Sequence, residues 1–317
     1  MRIGVIGRGF GARIVAPVFS ETDGCDVVDV VSPRDEAAVR ALCARSDVDL
    51  VAVHSPPFLH AEHVGLAAAS GHAVLCDKPF GCNAGDAERM VRAARGAGVV
   101  DLLNFEFRHH PAREQLRALV ADGAVGPVEH VQWTAFNAGS RAPLRRFGWL
   151  FDAELGGGWI GAWGSHVLDF LRWTFGDLVE ASAQPRTTIT ERPDRDGRMH
   201  PCTAEDGFTA TLRTAGGVTI TIDTTFSSPV NVPSRVSVIG RNGVLEMVGD
   251  QRITLRTEGS LHEAFELDHG GGDPHLLPMR RWAEVVRDAV RGGVVPAGEP
   301  TFADGLACAE VMDRLRA

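Results

Sequence analysis

The 317-residue sequence contains no tyrosine, and its six cysteines (Cys25, Cys43, Cys76, Cys82, Cys202 and Cys308) form no CxxC pair. Zinc-type spacing is therefore absent, and reduced thiols in the core or on the surface are expected. The twelve histidines include no HExxH. His60 and His63 lie three apart with no third ligand evident, so no metal site is expected. No window approaches the ~20 uninterrupted apolar residues of a membrane-spanning helix, which argues against a membrane partner. Cations are in deficit: 32 Lys and Arg against 41 Asp and Glu leave a net charge of −9. Dispersed arginines in an acidic chain do not suit a nucleic-acid backbone. A strand begins at Arg2 and leaves no room for a secretory leader, so a cytoplasmic location is expected.

What is present begins with the apolar run Arg2 to Ile6 and Gly7-Arg8-Gly9-Phe10-Gly11-Ala12, followed by a helical stretch from Arg13. This is G-x-G-x-x-A between strand and helix. The first glycine serves the tight turn, and the second lets backbone approach a pyrophosphate. The small third residue lets helix pack on strand. Asp26 to Val31 reads as a second strand, ending in Ser32-Pro33-Arg34. An NAD site usually places an acid at this tip, whereas a 2′-phosphate calls for a cation. The tip therefore favours NADP over NAD, although Asp29, inside the strand, is a competing acid and Arg34 is also readable as a solvated surface residue. Asp35 reads as a first-turn helix acid. A strand at Asp49 to His54 follows so soon that the sheet should lack its usual third strand and end in a trimmed edge.

Ser55-Pro56-Pro57 forces a rigid exit from that strand, with a cis bond compatible. Lys78 leaves the next strand, His72 to Cys76, at the same sheet edge, where cofactor binds in doubly wound folds. Helix Asp86 to Arg95, strand Val99 to Phe105 and helix Pro111 to Ala121 complete an alternating half. After Gly126-Pro127 the pattern changes to period-two strands with close turn signals, at 128–136, 179–190, 208–214, 218–226, 235–239, 244–248 and 252–256. These predict an antiparallel meander with one face covered. Helices follow at 165–175, 278–291 and 303–316. The expected architecture is a Rossmann domain over 1–126 and an α+β domain over 127–317.

The chain resembles the glucose–fructose oxidoreductase, inositol dehydrogenase and rhizopine-catabolism family over nearly its whole length. The carriers are the glycine fingerprint at 7–12, Ser55-Pro56-Pro57-Phe58-Leu59-His60 as S/T-P-x-x-x-H, and Asp77-Lys78-Pro79 as the E-K-P signature with Asp for Glu. Asn104 to Pro111 and the run from Gly156-Gly157-Gly158 through Gly164-Ser165-His166 to Asp169 complete the set. The resemblance implies hydride transfer between nicotinamide and a sugar or cyclitol carbon. Lys78 is implied as the polarising cation and His166 as the proton donor or acceptor, meeting at the nicotinamide. It implies cofactor contacts from Gly7, Arg8, Gly9, Phe10, Gly11, Ser32, Pro33, Arg34, His54, Ser55, Pro56, His60, Asp77, Lys78, Asn104 and Arg108. Substrate contacts are expected from Lys78, Arg108, Trp149, Trp163 and His166, with a small cyclic substrate. Arg141, Arg145 and Arg146 are further candidates for an acidic substrate or are simply solvated. For 127–317 the resemblance implies an open, mostly antiparallel sheet with helices on one face, serving substrate binding and a homodimer or homotetramer through that sheet.

Two departures stand out. Ala162 occupies the position of the family's Asp, four residues before His166, and a methyl neither accepts nor donates a proton. The missing tyrosine removes an acid/base group that some relatives use. Ala162 keeps open a non-catalytic dinucleotide-binding regulator; a glycosidase assisted by a recycled NAD is a third reading, against which the NADP-like tip at Ser32 and Arg34 argues. Ser165 reads as the helix N-cap beside His166, and Asp169 as a residue that orients His166 or pairs within the domain.

Overall fold

The computed structural model describes residues 1–267 and 271–317. They divide into two compact units, Met1–His109 with Asp273–Glu310, and His110–Gly272 with Val311–Ala317.

In the first unit, strands β1 (Arg2–Ile6), β2 (Asp26–Val31), β3 (Leu50–Val53), β4 (Ala73–Cys76) and β5 (Asp101–Leu103) form one sheet in the order β2-β1-β3-β4-β5. All of its pairings are parallel. β3 and β4 are buried at every position, as expected for parallel strands covered on both faces. β2 is the outermost strand, the trimmed edge that the short spacing before β3 implies. Helices α1 (Ala16–Glu21), α2 (Glu36–Cys43), α3 (Pro57–Ala69) and α4 (Ala84–Ala97) alternate with these strands. Asp35 caps α2, its carboxylate accepting from the Ala38 N–H, and so sits one step before the first turn expected for it.

The second unit starts with α5 (Pro111–Ala121). Its eight-stranded sheet takes β6 (Val128–Phe136), β7 (Leu178–Arg186), β10 (Gly207–Thr214), β11 (Thr219–Thr225), β12 (Val232–Gly240), β13 (Gly243–Val248), β14 (Arg252–Thr257) and β15 (Ser260–Glu266). The order is β15-β14-β13-β12-β6-β11-β10-β7, antiparallel except for β6 with β11. β10 alternates buried and exposed along its length, the pattern of a sheet with one covered face. α6 (Ser165–Phe175) buries His166 to Leu171. The segment 192–201, to which the strand pattern assigns no element, contributes to a small hairpin, β8 (Glu191–Pro193) with β9 (Met199–Pro201). β15 was likewise not marked by its sequence, whose exposed polar residues lack clean alternation.

The last two helices are α7 (Leu276–Gly292) and α8 (Phe302–Arg316). α7 packs on the first sheet: Met279, Trp282, Ala283, Val286 and Ala289 share a core with Ile3, Val5, Val15, Phe19 and Leu75. Residues 273–310 therefore pack with the first unit, whereas the sequence pattern assigns everything after 127 to a second domain. Amphipathic spacing shows that a helix has an apolar face, not which sheet covers it.

Two turns at the carboxyl edge of the first sheet are joined by His60, which is 0% exposed. Its Nε2 lies 2.7 Å from the Ser55 carbonyl and its Nδ1 3.1 Å from the Pro79 carbonyl. The imidazole thus spans the Ser55-Pro56 turn and the Lys78-Pro79 turn. The cis peptide bond in this region is Lys78–Pro79, not one of the prolines after β3. Ser55 also engages His63, Oγ to Nδ1 at 2.9 Å.

Burial pushes the His60 pKa down to about 4 from 6.5, and that of His63 in the same direction. Between these two values the unfolded chain binds more protons than the folded one, so stability falls as pH drops from 6.5 to 4 and levels off below. Unfolding free energies measured across that window should show this slope, and His60→Asn should make it shallower. Trp282 is 0% exposed, and Trp282→Ala should cost about 3–5 kcal/mol in denaturant unfolding. A loss near zero would mean that α7 does not stabilise the first unit.

Candidate functional site

The glycine loop has the shape its composition implies. Gly7 has φ +153°, and a Cβ there would lie 2.4 Å from the His54 carbonyl oxygen, so only glycine fits against the end of β3. Gly9 is exposed, and a Cβ there would meet nothing within 4 Å. Gly9 thus leaves open backbone where a pyrophosphate would be received. The close helix–strand approach falls on Gly11, one residue before the Ala12 expected from the motif. A Cβ at Gly11 would lie 3.0 Å from both Val5 Cγ1 and His54 Cβ. A π-wound turn, Gly11–Val15, leads from the loop into α1. Such turns are frequent at functional sites.

The ribose tip is a tight turn in which Arg34 N–H donates to Ser32 Oγ at 3.3 Å. Arg34 is exposed, and among the described residues its guanidinium has no recorded carboxylate partner. Asp29 is exposed on the edge strand and accepts from the Val30 backbone N–H.

The carboxyl edge of the sheet is organised by Asp77. Its Oδ2 lies 3.3 Å from His54 Nδ1, and its Oδ1 accepts from Asn104 Nδ2 at 3.2 Å and from the Lys78 N–H at 3.0 Å. The carboxylate therefore joins residues that immediately follow β3, β4 and β5. The main chain prolongs the same ladder: His54 N–H donates to Ile6 O, Asp77 N–H to Val53 O, and Asn104 N–H to Cys76 O. Burial pushes the Asp77 pKa up, but the His54 ring and the Lys78 ammonium outweigh it and hold the group below the usual carboxylate range. Asp77 is thus an ionised, oriented acceptor behind the lysine. Phe80, 1% exposed, anchors the far side of the Lys78 turn against Phe302 (ring centroids 4.6 Å). α8 has a glycine at 305 because a Cβ there would lie 2.6 Å from the Phe80 ring.

Two of the expected ligand residues are spent elsewhere in this unit. His60 has no surface for a ligand and serves as the strut described above. Arg108 is 5% exposed, with its guanidinium on the Gly298 carbonyl at 2.9 Å and Asp304 Oδ1 at 3.1 Å. Sequence spacing shows neither partner, since both lie far along the chain.

In the second unit, the run from Gly156 is shaped by Glu205. Gly158 has φ +104°, and a Cβ there would fall 2.2 Å from the Glu205 carboxylate. Glu205 Oε1 accepts from the Ile160 N–H at 2.9 Å, and the Glu205 carbonyl accepts from the Trp159 N–H at 2.9 Å. Arg316 donates to the Gly157 carbonyl at 2.9 Å and reaches Glu205 Oε1 at 3.5 Å. The carboxylate thus meets the start of a second π-wound turn, Ile160–Gly164, which runs straight into α6. Ser165 is consequently inside continuous helix, with helical dihedrals, and is not the cap expected from its residue type. His166, 6% exposed, is on the first turn of α6, and Asp169, 2% exposed, begins the next.

Around this turn the aromatic rings form a ladder. Trp163 stacks on Trp159 at 5.7 Å and 7°, and Trp159 on Phe226 at 4.4 Å and 4°. The Arg145 guanidinium lies 5.9 Å from the Phe226 ring. Trp159 is fixed by its Nε1–H on Thr224 Oγ1 at 2.9 Å, and the partly exposed Trp163 packs further against Trp133 and Phe208, with centroids 5.9 and 6.3 Å away. Trp149 is also partly exposed, whereas Arg141 and Arg146 are exposed. Ala162 is partly exposed where the expected carboxylate would stand.

Residues 1–105 match a family model described as the oxidoreductase family, NAD-binding Rossmann fold, and residues 114–246 match the GFO/IDH/MocA C-terminal domain. An uncharacterized oxidoreductase of Synechocystis sp. is 31% identical over 270 residues, covering 79% of this chain and 72% of the relative. D-apiose dehydrogenase of Paraburkholderia graminis is 27% identical over 314 residues, 92% of this chain and 76% of that protein. A levoglucosan dehydrogenase structure in complex with NADH and levoglucosan has the same fold, with a TM-score of 0.86 at 20% identity over 100% of this chain and 96% of that one. With both halves of the chain matched in order and a relative this similar over most of its length, the protein belongs to the GFO/IDH/MocA family of NAD-binding oxidoreductases.

Proposed function

We propose that the protein is a dehydrogenase that uses a nicotinamide dinucleotide, NADP in preference to NAD, to interconvert a hydroxyl and a carbonyl on a sugar, keto-sugar or cyclitol. The observation that carries this reading is the Asp77 joint, which holds Lys78 at the same sheet edge as the Gly7–Gly11 loop. Levoglucosan dehydrogenase, whose structure with NADH and levoglucosan has this fold, and D-apiose dehydrogenase support the choice of substrate class.

The dinucleotide, when bound, supplies or accepts the hydride. Gly7, Arg8, Gly9, Phe10 and Gly11 would hold its pyrophosphate through main-chain N–H groups. Ser32, Pro33 and Arg34 would meet the adenosine ribose, with Arg34 as counter-charge to a 2′-phosphate. His54, Ser55, Pro56 and Asn104 shape the edge around the nicotinamide half. Lys78 binds the substrate oxygen and stabilises negative charge developing there. His166 accepts the hydroxyl proton, or returns it in the reverse direction. Asp169 orients that imidazole. The partly exposed Trp163 and Trp149 offer flat apolar surface suited to a ring-shaped substrate. With alanine at 162, Lys78 and His166 carry the polar chemistry between them.

Lys78→Ala should lower turnover by ~10²-fold or more while nucleotide affinity changes only a few fold, as for loss of a group that acts in the transition state. Absorbance at the nicotinamide band, with a panel of aldoses, inositols and ketosugars, checks this. Unchanged turnover would remove Lys78 from the chemistry, and tight nucleotide binding without turnover on any substrate would favour a regulator. Arg34→Ala should weaken NADPH binding by about tenfold or more, the size of one lost charge-assisted contact, and leave NADH nearly unaffected. Tighter binding of NADH than NADPH by the wild type would reverse the cofactor preference.

A further inference from the structure

From His130 to Phe151 the second unit has no acidic residue, although acids outnumber cations over the whole chain. The arginines of that stretch, Arg141, Arg145 and Arg146, stand together on a loop over 138–147, and all three are exposed. The loop is closed on itself. The Arg145 N–H donates to the Ser140 carbonyl at 3.0 Å, so Arg141 and Arg146 each follow one side of that junction. Among the described residues neither Arg141 nor Arg146 pairs with a carboxylate, and Arg141 Nη1 donates to the Ser227 carbonyl at 3.4 Å.

A fourth arginine holds the loop in place. Arg192, on β8, is 0% exposed. Its Nη1 donates to the Ser140 carbonyl at 2.6 Å and to the Arg145 carbonyl at 2.9 Å, and its Nη2 to Ser140 Oγ at 3.0 Å. The guanidinium lies 4.0 Å over the Phe151 ring. These partners are all neutral, and the buried Nε has no hydrogen-bond partner among the described residues. A cation held out of water without a counter-charge is costly, and three like charges on the loop that it holds add to that cost. Solvation of the loop alone does not call for such a strut, whereas an oxyanion received there offsets both costs.

The loop is also tied to the ring ladder. Ser140 donates to the Phe226 carbonyl from its N–H at 3.0 Å and from its Oγ at 2.9 Å. The ladder runs from Phe226 through Trp159 to Trp163, on the turn that leads into the helix of His166. One stack of rings thus joins the cationic loop to that turn.

We propose that the 138–147 loop receives an oxyanion of the substrate, with Arg141 and Arg146 as its contacts and Arg192 as the residue that positions them. The substrate is then an acidic sugar or cyclitol, carrying a carboxylate or a phosphate besides the hydroxyl that is oxidised. A guanidinium suits either anion, since it is permanently charged and presents paired N–H donors to two oxygens. The assignment rests on the dehydrogenase reading above and narrows its substrate class.

The test is kcat/KM of the full-length chain on matched neutral and acidic substrates: glucose with glucuronate and glucose 6-phosphate, and myo-inositol with its monophosphate. An acidic member should exceed its neutral counterpart about tenfold or more, the size of one charge-assisted contact. Whether the carboxylate or the phosphate does so names the anion. Arg141→Gln and Arg146→Gln should each lower that ratio several fold through KM, at wild-type melting temperature, and Arg146→Lys should recover part of it. Arg192→Lys, which keeps a charge but cannot reach all three oxygens, should raise KM for the acid with little change in kcat; an unchanged KM removes Arg192 from the positioning role. Preference for neutral substrates, a ratio that neither surface variant moves, or one that moves only with melting temperature overturns the assignment while the dehydrogenase reading stands. Absence of turnover on every member overturns that reading, and this assignment with it.

Discussion

One ionised carboxylate, that of Asp77, sets the geometry on which the first unit depends. Parallel strands end without a hairpin to tie them, so their carboxyl ends would otherwise fan out as independent loops. Asp77 gathers three of these ends, through His54 after β3, Asn104 after β5 and the main chain of Lys78 after β4. His54 in turn presses its carbonyl on Gly7 and its Cβ on Gly11. Glycine loop and lysine turn are therefore parts of one joint. The shorter side chain of Asp, in place of the family's Glu, makes all three contacts.

The second unit uses the same device on a different scaffold. The Glu205 carboxylate lies over Gly158, accepts from the Ile160 N–H and meets Arg316 from the end of the chain. The carboxylate reaches the glycine-containing turn through His54 in the first unit and directly in the second, and each turn opens into a π-wound segment and then a helix. Rigid turns of this kind suit a site that must place a few polar atoms without support from regular hydrogen bonding. The aromatic ladder from Phe226 through Trp159 to Trp163 gives the second turn a stiff apolar flank.

Histidine has several distinct duties in this chain, and residue type alone does not separate them. His60 is a fully buried strut between two backbone carbonyls, and His72 makes a similar pair of contacts, to the carbonyls of Val48 and Cys43. His54 belongs to the Asp77 joint, and His275 pairs with Glu106. What distinguishes them is exposure and the identity of the second partner, both of which arise only when distant segments meet.

The sequence by itself determined the class and most of the elements, the β8–β9 hairpin and β15 excepted. Short apolar runs alternating with helical spacing demand a parallel sheet, and the strands from Val128 onward, alternating apolar and polar, demand an antiparallel one with a covered face. It also determined where the glycines, Lys78 and His166 stand, because local turn chemistry and spacing are written over a few residues. Only the tertiary structure decided which groups hold them. Asn104 meets Asp77 across 27 residues, and Arg108 meets Gly298 across 190. It also decided that α7 covers the first sheet, since an apolar helical stripe fits any apolar face. Pairings of this length carry no local signature: their energy comes from burial and charge compensation that exist only after the chain has closed on itself.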